Sequence, residues 1–159
     1  MFRSITTGLA TCAMSLAIGA AGANATTTVS SAVGGAPTGV SYVNFDNLPL
    51  GTTGGTSGGI GVAFTPDGQG VQGASNGKFA APFLSNSNGV PFGDPTNGAD
   101  ATTYLTTGLG TITLTMPGPE KYLGLLWGSV DAYNTLDLYN GASLVGSITG
   151  ADVTASANG

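Results

Sequence analysis

Thr135-Leu136-Asp137-Leu138-Tyr139-Asn140-Gly141-Ala142-Ser143-Leu144-Val145-Gly146-Ser147-Ile148-Thr149 is the stretch on which the fold class turns. Two short runs that favour the pleated conformation flank Asn140-Gly141, a dipeptide suited to the positive-φ positions of a type I′ hairpin turn. Working outward, runs of the same kind recur at Ser41 to Asp46, Gly61 to Thr65, Lys78 to Leu84, Thr111 to Met116 and Tyr122 to Val130, separated by Gly, Pro, Asn and Asp. Thr111 to Met116 alternates hydroxyl and apolar side chains, as a strand with one wet and one buried face requires. After the N-terminal leader, no segment of helical length carries apolar residues at 3.6 spacing. The expected architecture is all-β, an antiparallel β-sandwich of jelly-roll type.

Met1 to Ala25 reads as a secretory signal peptide. Arg3 supplies the basic start, Leu9 to Ala21 the apolar stretch, and Ala23-Asn24-Ala25 a small-residue cleavage site. The apolar stretch is shorter than the roughly 18 residues a membrane-spanning helix needs, and no later segment reaches that length. Cys12, the only cysteine, falls inside this segment and is read as a small apolar residue of the leader, not a lipidation site. Residues 26–40, rich in Thr, Ser, Ala and Gly, are expected to form a flexible leader, and residues 41–159 the sandwich domain. Without the leader the chain has neither a disulfide framework nor a thiolate nucleophile.

Charge is sparse and one-sided. Beyond the leader, Lys78 and Lys121 face eight carboxylates. Nucleic acid and anionic lipid, which need clustered Lys and Arg to displace counterions, are excluded as partners by this balance. Gly51 to Gly59, with five glycines, invites a phosphate-loop reading, but no Gly-Lys-Ser/Thr follows and no helix is expected there to supply N-terminal amides. It is read as a turn-forming loop, and Ser85 to Ala101 as a long polar one.

The segment Tyr122 to Gly141 holds the only tryptophan, three of the five tyrosines and two of the eight acids. Its Trp127-Gly128-Ser129-x-Asp131-x-Tyr133-Asn134-Thr135 pattern, following an apolar run and leading into a strand closed by Asn-Gly, resembles the exosortase-dependent (PEP-CTERM) surface proteins of Gram-negative bacteria. Asn44 to Pro49, Phe64 to Gly68, Lys78 to Pro82 and Gly98 to Leu105 resemble earlier segments of the same family. The resemblance implies an exported, non-catalytic cell-surface or extracellular-matrix protein associated with exopolysaccharide or biofilm. It also implies a continuation into further strands, a Pro-Glu-Pro motif, an apolar helix and a basic tail read by exosortase. The sequence stops at Gly159 without them, so a chain incomplete at its C-terminus is expected.

For chemistry, the absence of histidine removes the Ser-His-Asp triad, His-ligated zinc and a histidine general base. Paired carboxylates could still hydrolyse glycosides, the least favoured alternative, because Glu120 lies in the turn Pro117-Gly118-Pro119-Glu120 where exposure is expected. Calcium is the candidate metal, since hard oxygen ligands are available: Asp46, Asn47, Asp67, Asp94, Asp100, Asp131, Asn134 and Asp137. Asp46, Asp100 and Asp131 are the candidate set. No calcium-loop spacing occurs, and the competing reading is that these residues form turns through their own backbone. For a saccharide, Trp127, Tyr133 and Tyr139 offer aromatic faces. Trp127 is expected in the core, whereas Asp131, Tyr133 and Asn134, in a loop, are the candidate ligand contacts of a calcium-dependent carbohydrate-binding module.

Overall fold

The computed structural model describes residues 27–31, 39–84 and 98–155. The expected signal peptide, most of the expected flexible leader, Asp94 and most of the expected polar loop lie outside the described residues. Among the described residues nine strands, β1 (Gly54–Ser57), β2 (Ile60–Phe64), β3 (Gln69–Val71), β4 (Phe83–Leu84), β5 (Gly98–Ala99), β6 (Tyr104–Thr106), β7 (Ile112–Thr115), β8 (Thr135–Asn140) and β9 (Ser143–Thr149), precede one short helix, α1 (Gly150–Ala155). The protein is all-β. Its strands form a three-stranded sheet in the order β1-β2-β7 and three two-stranded pairs, β3-β6, β4-β5 and β8-β9, each pair antiparallel.

The largest sheet follows from alternation. With Val62 opposite Leu114 and Phe64 opposite Ile112, the apolar residues of β2 and β7 share one face, and Ala63, Thr113 and Thr115 share the other. On the first face Val62 is buried, and so is Ser57, whose hydroxyl donates to the Asn44 carbonyl. Among the described residues the buried apolar side chains are Leu48, Val62, Val71, Leu84 and Tyr104, and of these Leu84 is fully enclosed.

Four local expectations are corrected. Gly51 to Gly59 is not only a loop, because β1 begins within it: Gly54 and Gly55 adopt φ of 152° and 155°, a region open to glycine, and pair with Ala63 and Val62. Ser41 to Asp46 and Tyr122 to Val130 form no strand despite their composition. Their side chains carry the propensity, but among the described residues no strand pairs with them to complete a ladder. In the hairpin, Asn140 pairs with Ser143, so the turn residues are Gly141 and Ala142. Gly141 takes φ 60° and Ala142 is not among the positive-φ residues, the sign pattern of a II′ turn and not of I′. One extra residue, Val145, bulges from β9 where the register shifts between Leu138 and Tyr139.

Two carboxylates organise the surface. Asp67, itself at φ 72°, receives Thr107 Oγ1 at 2.8 Å and the amides of Gly108 and Gly110 at 3.1 Å on one oxygen, and the Leu109 amide at 2.7 Å on the other. The Leu109 amide first, then the Thr107 hydroxyl, holds its pKa below the ordinary carboxylate value. Asp152 is lowered in the same way by the Thr149 hydroxyl and amide, in a reciprocal cap at the start of α1 where the Asp152 amide donates back to Thr149 Oγ1. Because both folded values lie below the unfolded ones, this stabilisation is complete above the unfolded carboxylate pKa, about 4, and is lost as pH falls through the folded value. Asp67→Asn is expected to lower Tm at neutral pH and to shrink the fall in Tm between about pH 4 and 2. Thermal melts across that range check it, and an equal deficit at both ends would show that the charge plays no part.

Candidate functional site

A cleft of about 420 Å³ opens between two loops, one carrying Ser75, Asn76, Lys78 and Phe79 and the other Asp131 and Tyr133. The first wall is a tight tip. The Ser75 amide donates to the Phe79 carbonyl at 2.9 Å, and the Lys78 and Phe79 amides donate back to the Ser75 carbonyl at 3.0 and 3.1 Å. Phe79 meets Tyr104 edge-on, with centroids 6.4 Å apart and planes at 71°. Tyr104 is buried and its hydroxyl donates to the Gly73 carbonyl, so this wall stands on the core. Burial first, then the Asp100 carboxylate, raises the Tyr104 pKa and keeps that donor protonated.

The second wall is a closed turn. The Asn134 amide donates to the Asp131 carbonyl at 2.9 Å, and the Asp131 amide donates to Asn134 Oδ1 at 2.8 Å. The Gly150 amide, donating to the Asn134 carbonyl at 3.0 Å, ties the turn to the end of the hairpin. Tyr133 is 80% exposed, and its hydroxyl donates to Asp131 Oδ2 at 2.9 Å, which orients the ring. That hydrogen bond first, and the Asp131 charge with it, pushes the phenol pKa up.

Gly128 brings the walls together. A Cβ there would lie 2.3 Å from the Ala80 carbonyl oxygen and 2.8 Å from the Pro82 nitrogen, so backbone packs on backbone between the two loops. The sequence reading missed Gly128, Lys78 and Phe79 as site residues. Only the presence of glycine, Gly124 and Gly128, inside the run Tyr122 to Val130 hinted at a close approach.

Of the candidate ligand contacts, Asp131 and Tyr133 line the cleft, whereas Asn134 supports the turn beneath them. The candidate calcium ligands are dispersed in function. Asp46 accepts from the Thr103 amide at 3.1 Å and from Asn44 Nδ2 at 2.9 Å, and the buried Asp100 accepts from the Thr102 amide and hydroxyl at 2.8 and 2.7 Å. Asp137 accepts from Ser147 Oγ at 2.6 Å. Among the described residues no three acids gather into a group able to hold a metal ion. Trp127 is half-buried but not on a strand, Tyr139 is exposed on β8, and Glu120 is exposed as expected. No helix among the described residues is long and apolar enough to cross a membrane.

The cleft therefore presents an oriented phenol face, one carboxylate, one ammonium and several neutral hydrogen-bonding groups. Such a set can stack on the apolar face of a sugar ring and exchange hydrogen bonds with its hydroxyls. Comparison with protein-family models, with curated proteins and with solved structures finds no match.

Proposed function

We propose that this is an exported, non-catalytic cell-surface or matrix protein that associates with extracellular polysaccharide through the cleft between Lys78 and Tyr133. The observation that carries the reading is the Tyr133 ring, exposed yet oriented by Asp131, facing a wall anchored on the core. Export rests on the signal-peptide pattern of Met1 to Ala25, and the surface setting on the resemblance to exosortase-sorted proteins. The small antiparallel sheets are parts of a sandwich of jelly-roll type. Among the described residues Asp131 is the one carboxylate lining the cleft, where glycoside hydrolysis uses two, which favours binding over turnover.

Affinity electrophoresis of the chain through gels containing a panel of polysaccharides tests this. Retardation by at least one polymer is expected, with Tyr133→Ala weakening it about tenfold, as loss of an aromatic stacking platform does. Tyr133→Phe should retain most of it, and adding calcium or a chelator should leave it unchanged. Free migration through every polymer would overturn the reading.

A further inference from the structure

One wall of the cleft ends in groups that suit an anion. At its tip the Ser75 carbonyl takes the Lys78 and Phe79 amides, whereas the Asn76 and Gly77 amides reach no acceptor among the described residues. Gly77 turns through φ 69°, and successive free amides in a turn of this kind form a concavity that suits an oxyanion. Lys78 adds its ammonium to the same tip, and Asn76, Gly77 and Lys78 all line the cleft. Lys78 makes no ion pair among the described residues, although Asp131 lines the facing wall. The tip is held in place, because Phe79, next to Lys78, packs edge-on against buried Tyr104.

The facing wall sets the direction. Asp131 holds the Tyr133 hydroxyl through Oδ2 and carries negative charge, so an acidic group on a ring stacked over Tyr133 is driven to the tip and away from the turn. A sugar ring offers its apolar face to an aromatic and its substituents at the rim, so stacking and an anion contact use different parts of it. Net charge limits the polymer. Beyond the leader two lysines stand against eight carboxylates, so a chain with an acid on every sugar would be repelled as a whole. Exposed charges are screened beyond about 8 Å at physiological salt, so acids spaced by neutral sugars escape most of that repulsion.

We propose that the cleft takes an acidic polysaccharide, seating the oxyanion of a carboxylated or sulfated sugar on the tip formed by Asn76, Gly77 and Lys78 while the ring stacks on Tyr133. The proposal rests on the reading of the cleft as a polysaccharide site, and adds that Lys78 sets its specificity.

Affinity electrophoresis with matched polymers tests it. Hyaluronate, whose acids alternate with neutral sugars, is set beside its carboxyl-reduced form, and chondroitin sulfate beside chondroitin, which lacks only the sulfate ester. The more acidic member of at least one pair should hold the parent about fivefold more tightly, the scale of an exposed ion pair, and the pair that does so identifies the oxyanion. Lys78→Gln should abolish that preference while keeping the Tyr133-dependent retention by the less acidic polymer and the circular dichroism of the parent. Lys78→Arg should keep the preference. So should Lys121→Gln, which changes net charge equally but lies outside the cleft lining. Equal retention by both members of each pair, still lost in Tyr133→Ala, would overturn this proposal and leave the cleft reading standing. A preference that survives Lys78→Gln, or that Lys121→Gln removes as fully, overturns it as well. Free migration through all four polymers also overturns it, and the cleft reading falls with it only if the wider panel gives no retention.

Discussion

Leu84→Ala is expected to destabilise the protein by about 3 kcal/mol, the middle of the range for deleting a buried leucine. For a domain of this size that corresponds to a fall in Tm of roughly 10 °C. Among the described residues Leu84 is the large side chain with no exposure, one of five buried apolar residues. It sits on β4, opposite Gly98 of β5, beside a second tie in which the Asp100 amide donates to the Pro82 carbonyl at 2.8 Å. Leu84→Met, which conserves volume, should cost less than about 1.5 kcal/mol. Differential scanning calorimetry of the two variants checks the prediction, and an alanine variant melting with the parent would show that the core is centred elsewhere.

Gly128→Ala has the second largest expected effect, because it acts on stability and on the site together. The added methyl group would need the space held by the Ala80 carbonyl and the Pro82 backbone, and neither is a side chain that can rotate away. Relief requires the loop carrying Ser129 to Tyr133 to move from the loop carrying Ser75 to Phe79, at an overpacking cost of about 1–3 kcal/mol. Polysaccharide retention should fall at least as far as in Tyr133→Ala, although every lining side chain remains. The informative comparison is with Ala132→Gly, an exposed change in the same wall that should leave retention near the parent level. If Gly128→Ala melts lower but binds normally, the cleft is not the binding site.

Legibility from sequence divides along a physical line. Thr111 to Met116 and Ser143 to Thr149 were readable because alternation and β-propensity, both local properties, agreed with the pairing available to them. Tyr122 to Val130 has the same composition and forms no strand, and Gly54 to Ser57 has almost none of it and does. In both cases the deciding term is whether another backbone lies in register, a contact set by residues far away along the chain. Asp131 and Tyr133 could be found because they are two residues apart in one loop. Lys78 and Phe79, on the facing wall, could not be joined to them by any spacing rule.

By itself the sequence determined that the protein is β-built, acidic, without histidine, and with its single cysteine at position 12, since these follow from residue identity and short-range pattern alone. The tertiary structure decided that Asp67 closes on the Thr107–Gly110 loop, that Asp46, Asp100 and Asp131 do not form one site, and that Gly128 lets two loops enclose a cleft. Those outcomes depend on which distant backbones meet, and the free energy of such meetings is set by packing and hydrogen-bond geometry, which a single chain order does not display.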